Sequence, residues 1–302
     1  MPQTTGTFTE KILLPPAVTR MPGKATDTGF TDVLRLDGVH PVISGNKWFK
    51  LKYALQAAQE GGYTRITTFG GAYSNHIVAT ACACKAAGLA SRGIIRGEGG
   101  PVASPVLELA AGYGMELEFM NRSHFRTLRE TGFVLPGCTD YIIPEGGAAE
   151  TGVRGAKEIL SYADLARYTH VFCAIGTGTT AAGLLQAMLP QQQLVAINVL
   201  KGGSFQQQDI LRLSGSTGEQ LVIRNNFHFG GYAKYTPELL GFMNQLYAAT
   251  GIPTDIIYTA KLFYALEQIT QNELAGTGAR ILVIHSGGLT GNCSLPKGTL
   301  IF

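Results

Sequence analysis

Dense charge is what this chain of 302 residues most lacks. Only 15% of it is Asp, Glu, Lys or Arg, and the formal net charge of +3 is spread without a compact Lys/Arg block. The electrostatic footprint of a nucleic-acid-binding protein is therefore missing, and small molecules are the expected partners, with room for a local basic pocket around a small anion. No apolar run approaches the roughly 20 residues of a membrane span, and Met1 to Thr7 show no basic segment leading into an apolar one, so no membrane contact and a cytoplasmic location are expected. The five cysteines, Cys82, Cys84, Cys138, Cys173 and Cys293, are odd in number and include no Cys-x-x-Cys pair. Neither a disulfide framework nor a zinc site is supported, and no metal is expected. Cys82 and Cys84 sit in an Ala-rich helical run and read as small core residues.

What is present is enough apolar residue, 45% of the chain, to bury a large core in one or two lobes. Apolar runs bounded by glycine alternate with helical patterns, the signature of an α/β protein with mostly parallel sheets. Helices are expected over 46–60, capped by Asn46, and over 77–87, capped by Ser74; further ones over 105–111, 123–129, 152–162, 181–188, 237–247 and 261–268. Strands are expected over 66–69, 93–96, 115–120, 141–143, 171–174, 194–200 and 281–284. No repeat, low-complexity tract or long linker interrupts this order.

Two segments bring polar side chains to helix starts, where free N–H groups and the positive dipole end favour an anion. They are Ser44-Gly45-Asn46-Lys47-Trp48-Phe49-Lys50-Leu51 and Phe69-Gly70-Gly71-Ala72-Tyr73-Ser74-Asn75-His76. A lysine held at such a point can act as a reagent, although by itself it would read as a solvated charge. Between a strand and a helix lies Ala174-Ile175-Gly176-Thr177-Gly178-Thr179-Thr180-Ala181, whose glycines allow close backbone approach and whose hydroxyls can enclose a phosphate. Gly-x-Gly-x-x-Ala is also the dinucleotide fingerprint. The next strand, however, ends Ile197-Asn198-Val199-Leu200-Lys201, without the acid that would hold a ribose, and a monophosphate is favoured. Val283-Ile284-His285-Ser286-Gly287-Gly288 is an apolar strand that ends in a hydroxyl, placing Ser286 at the carboxyl end of the sheet.

Together these segments resemble the pyridoxal-phosphate enzymes of the aminocyclopropane-carboxylate deaminase and D-cysteine desulfhydrase family, over most of the chain. The resemblance implies the two-lobed tryptophan synthase β-like fold, a large cofactor domain from 1–49 and 147–302 with a small inserted α/β domain at 50–146, and a homodimer. It implies pyridoxal 5'-phosphate as cofactor, carried as a Schiff base on Lys47. Phosphate contacts then fall on Gly176, Thr177, Gly178, Thr179 and Thr180 with help from Lys50, the phenolic oxygen on Asn75, and the pyridine nitrogen on Ser286 with Thr259 as alternative. Ser74, Asn75 and His76 would meet the substrate, Ser74 also moving a proton. Tyr258 would face the substrate as a catalytic residue, with Tyr232, or else Tyr235, beside it. His76 stands where the deaminases resemble Gln, and Lys261 reads as a helix-face charge.

Tyr258-Thr259 and His285-Ser286-Gly287-Gly288 stand where deaminases resemble Tyr-Glu and His-Leu-Gly-Gly. Neutral hydroxyls near the pyridine nitrogen stabilise a protonated ring less than a carboxylate would, which suits loss of a good leaving group such as a thiolate. The expected activity is β-elimination from D-cysteine, giving pyruvate, sulfide and ammonia. The alternatives are an aminocyclopropane-carboxylate deaminase, a nucleotide-dependent oxidoreductase resting on the Gly176 loop, and a non-catalytic small-ligand binding protein.

Overall fold

The computed structural model describes residues 15–22, 29–99, 104–202 and 205–302. In chain order its elements begin with β1 (Ala17–Arg20), β2 (Phe30–Arg35), α1 (Asn46–Glu60), β3 (Arg65–Gly71), α2 (Asn75–Ala87), β4 (Ala90–Arg96), α3 (Pro105–Gly112), β5 (Met115–Met120), α4 (Arg122–Glu130) and β6 (Tyr141–Ile143). They continue with α5 (Glu150–Lys157), β7 (His170–Ile175), α6 (Thr179–Ala187), β8 (Gln193–Asn198), α7 (Phe205–Ser214), β9 (Leu221–Arg224), α8 (Pro237–Thr250), α9 (Thr259–Asn272) and β10 (Arg280–His285).

Two sheets result. The larger has the order β1-β2-β10-β7-β8-β9, parallel except for the edge strand β1, and the smaller has the order β5-β4-β3-β6, parallel throughout. Central strands such as β7 and β10 are near-continuous apolar runs because helices cover both of their faces. The smaller sheet is built wholly from residues inside the expected insertion. Helix α1 packs on α5 and also touches α2, so it stands between the two sheets. One core cluster accordingly runs from Leu51 and Ile66 through Ala156 to Leu184 and Ile284.

Four elements have no counterpart in the sequence-based expectation, each for an identifiable reason. Strand β1 is largely exposed and β9 only half-buried, so neither carries an alternating apolar pattern. In β2 the buried Asp32 interrupts the apolar run; its carboxylate accepts hydrogen bonds from Arg20 and the Tyr168 hydroxyl. Helix α7 carries three successive glutamines, Gln206 to Gln208, in its first turn, which obscures an apolar stripe. The helix expected over 152–162 is α5 followed by a 3-10 turn at Glu158–Tyr162.

Among the described residues no helix is long and apolar enough to cross a membrane. No group of three or more His, Cys, Asp or Glu side chains among them could hold a metal ion. Cys82, Cys84 and Cys173 are buried free thiols.

Candidate active site

The start of α1 and the end of β10 cross in contact, and glycine makes the crossing possible. Gly45 has φ +68°, and a Cβ there would lie 1.7 Å from the carbonyl oxygen of Ser286. That carbonyl accepts the N–H of Asn46 at 2.9 Å. The crossing sets Lys47 beside Ser286, two residues 239 positions apart in the numbering. Asn46 is not the helix cap that its position suggested: Gly45 occupies that point and makes no side-chain bond. The Asn46 amide instead donates to Thr180 Oγ1 at 2.9 Å and accepts from Lys47 Nζ at 2.7 Å, tying the lysine to the Gly176 loop.

A cavity of about 310 Å³ opens over this junction, lined among others by Lys47, Lys50, Ser74, Asn75, His76, Gly176, Thr177, Gly178, Thr180, Tyr232, Tyr258 and Ser286. Nearly all the residues singled out from sequence therefore meet on one surface. Burial lowers the Lys47 ammonium to about 8, opposed by the buried Asp255 carboxylate. Burial and the neighbouring Lys47 bring Lys50 well below the ordinary lysine range, and its Nζ donates to the carbonyl of Gly146 at 3.1 Å.

Helix α6 presents its first turn to the cavity with no side-chain cap, which leaves its N–H groups open to an anion. Gly178 was expected to allow close approach of a phosphate. Its φ of +79° and a virtual Cβ only 2.7 Å from Ile210 Cγ1 give a different reason for glycine, the packing of α7 under the loop. Helix α7 also braces the loop through Gln206, whose amide donates to the carbonyl of Gly176 at 3.2 Å and to Asn198 Oδ1 at 2.8 Å. Thr179 is buried, pairs with the Thr177 hydroxyl at 3.0 Å and does not reach the cavity, so of the five loop residues four do.

Ser74 is both a cap and a lining residue: its Oγ accepts the Ile77 N–H at 3.4 Å at the start of α2. The Asn75 amide is partly committed, donating to the Gly288 carbonyl at 3.0 Å and accepting from the Thr290 hydroxyl. His76 Nε2 lies 2.9 Å from Thr68 Oγ1, whose single proton goes to the Ile143 carbonyl at 2.8 Å. Nε2 must then carry the ring proton, which leaves Nδ1, without a partner, as an acceptor. Burial and both lysines keep this ring neutral by lowering its pKa well below the usual value.

Thr259, like Thr179, lies outside the cavity. It is fully buried, and its hydroxyl donates to Asp255 Oδ1 at 2.8 Å. Of the two candidates for the pyridine nitrogen only Ser286 lines the cavity. Of the two tyrosines, both partly exposed, Tyr232 lines it and Tyr235 does not. Lys261, expected as a helix-face charge, is fully buried. Sequence reasoning missed Arg96, Arg129 and Glu145, which also line the cavity, both arginines being paired to Glu145. Arg96 ends a parallel strand, a position that favours ligand contact, whereas nothing local marks Arg129.

A cavity-lining amine of lowered pKa, a second lysine and an open helix start with hydroxyls suit a ligand bearing an aldehyde and a phosphate. The sequence model of the pyridoxal-phosphate dependent enzyme family matches residues 14–287. The chain is a pyridoxal-phosphate-dependent enzyme. Family membership sets aside the oxidoreductase reading of the Gly176 loop. A Pyrococcus abyssi protein provisionally named a 1-aminocyclopropane-1-carboxylate deaminase is 30% identical to the enzyme over 270 residues, 82% of this chain and 81% of the relative. The Arabidopsis thaliana bifunctional D-cysteine desulfhydrase/1-aminocyclopropane-1-carboxylate deaminase is 28% identical over 82% of this chain and 70% of its own. A Salmonella choleraesuis D-cysteine desulfhydrase is 25% identical, with 84% and 86% covered. Among solved structures, an aminocyclopropane-carboxylate deaminase homologue superposes with a TM-score of 0.77 at 24% identity, covering 97% of both chains, and so shares the fold.

The lowered pKa of Lys47 has a measurable consequence for the enzyme. Only a neutral amine adds to an aldehyde, so reloading of the apoenzyme should speed up by about tenfold per pH unit until about pH 8 and then level off. Stopped-flow absorbance of the added cofactor reads this directly. A rate still climbing at about pH 10, as for an ordinary lysine, would show that the reacting amine is not lowered by its surroundings.

Proposed function

We propose that the enzyme eliminates the thiol of D-cysteine, consuming one water and releasing pyruvate, hydrogen sulfide and ammonia. The observation that carries this reading is Ser286, the neutral hydroxyl that the end of β10 brings to the cavity where the deaminase-like pattern has other side chains. Thr259 lends it no support, being turned onto Asp255. Replacing Thr259 by Glu would set a second carboxylate against a buried one and restore nothing to the cavity.

In this reading Lys47 holds the cofactor and, once freed by the substrate amine, takes the proton from Cα; a pKa of about 8 suits that exchange near neutral pH. Bound pyridoxal phosphate supplies the electron sink for the pair left at Cα. The open start of α6 with Thr177, Thr180 and Lys50 holds the phosphate, and Asn75 and Ser286 meet the ring. The start of α2 at Ser74, Asn75 and His76 receives the substrate carboxylate on its N–H groups and the Ser74 hydroxyl. The neutral His76 ring brings no positive charge to the carboxylate, which leaves that role to the N–H groups and Ser74. Tyr232 and Tyr258 close the wall, and loss of water around each hydroxyl pushes its pKa up. The division into 1–49 with 147–302 and 50–146 belongs to the same proposal.

The test is a parallel assay. The purified holoenzyme should form sulfide and pyruvate from D-cysteine with kcat/KM at least about 100-fold above that for 2-oxobutyrate from aminocyclopropane carboxylate. Comparable or faster ring opening would overturn the substrate and leave the cofactor assignment standing.

A further inference from the structure

Lys261 lies in the first turn of α9 with no exposed surface, and its ammonium donates to the carbonyl of Gly231 at 2.7 Å. A buried ammonium is unfavourable unless a charge and hydrogen bonds offset the loss of water. The charge is Asp255, six positions earlier and equally buried, whose attraction for Lys261 opposes the effect of burial.

This pair supports two different turns. The Asp255 carboxylate accepts the N–H groups of Ile257 at 3.0 Å, Tyr258 at 3.2 Å and Thr259 at 2.8 Å, fixing the turn that carries Tyr258. Lys261 grips the turn that carries Tyr232, one residue after Gly231. The two tyrosine rings meet edge to face with centroids 6.3 Å apart, and Lys47 Nζ lies 6.0 Å from the Tyr258 ring. The Tyr232 turn has other supports, the Gly231 N–H to the His228 carbonyl at 2.9 Å and the Phe229 ring against Tyr264 at 5.0 Å, so its loss of Lys261 need not unfold it.

We infer that Lys261 is a positioning residue: its ammonium-to-carbonyl bond holds the Gly230–Tyr232 turn so that Tyr232 stands against Tyr258 on the cavity wall. It touches neither cofactor nor substrate and acts through Tyr232. The inference rests on this cavity being the site of the proposed reaction.

Lys261→Met in the holoenzyme keeps the aliphatic stem and removes the donor. Amide exchange of the peptide spanning 229–236 should accelerate by about tenfold, more than that of the 255–259 turn, where the Asp255 carboxylate keeps its backbone N–H donors. Cofactor affinity and absorbance should stay as in the parent, while KM for D-cysteine rises about tenfold and kcat falls less than about threefold. In a Tyr232→Ala background the same change should add less than about twofold, because the residue it positions is gone. Lys261→Gln, which retains a donor, should recover part of the effect. Unchanged exchange in 229–236, or a full multiplicative effect in the Tyr232→Ala background, overturns the inference, as does unfolding of both the Met and Gln variants. The exchange arm needs no substrate, so absence of D-cysteine turnover by the parent enzyme would sink the proposed function alone.

Discussion

Lys47→Ala should purify without covalently held cofactor and turn over substrate about 10⁴-fold more slowly than the parent, the scale lost with a positioned proton-transfer group. The expectation follows from the cavity itself: Lys47 is a half-buried side chain on its wall, with an amine that burial lowers to about 8 and Asn46 holds toward the Gly176 loop. Borohydride reduction followed by peptide mapping should label Lys47 in the parent and nothing in the variant. Lys50 is the internal control. Its amine is also buried and lowered but points to the Gly146 carbonyl, so Lys50→Ala should weaken cofactor binding by about tenfold to 100-fold, as loss of one charged hydrogen bond implies, and retain turnover. Label on Lys50 in place of Lys47 would reverse the two roles.

Gly45→Ala should be severely damaging for a single added methyl. A Cβ at Gly45 would lie 1.7 Å from the Ser286 carbonyl oxygen and 2.7 Å from Gly287 Cα, both backbone atoms that cannot step aside. The backbone at φ +68°, ψ −144° is moreover a region essentially reserved for glycine. Overlap and strain together should destabilise the fold by about 3 kcal/mol or more and abolish cofactor binding, since the crossing sets Lys47 beside Ser286. Gly62→Ala separates the two causes, for Gly62 has φ +70° and nothing within 4 Å of a Cβ. It should lose only about 1 kcal/mol, the left-handed strain alone. Denaturant unfolding of the three proteins measures the difference; equal losses for Gly45→Ala and Gly62→Ala would show that the crossing is not tightly packed.

The residues alone determined the periodic elements and the chemistry of short segments. Parallel strands such as β7 and β10 are legible because burial on both faces writes a continuous apolar run, and helix starts such as that of α2 because Ser74 must satisfy a nearby N–H. Lys47, the Gly176 loop and Ser286 are each legible for the same local reason, a polar group at the end of an element. Tertiary structure decided which of these groups face a common space. Thr259 and Thr179 have the right chemistry and the right segments, yet each hydroxyl is captured by a partner within four residues, Asp255 or Thr177. Asn46 reads locally as a cap, which it is not; it serves Thr180, 134 positions away, because the crossing of α1 over β10 brings α6 within reach. Lys261 looks like a surface charge in any local window, and only the packing of α9 against the Gly231 turn buries it. Local pattern records what a residue can do within its own turn of chain. Burial and partnership across the fold depend on close packing between distant segments, which no stretch of sequence carries by itself.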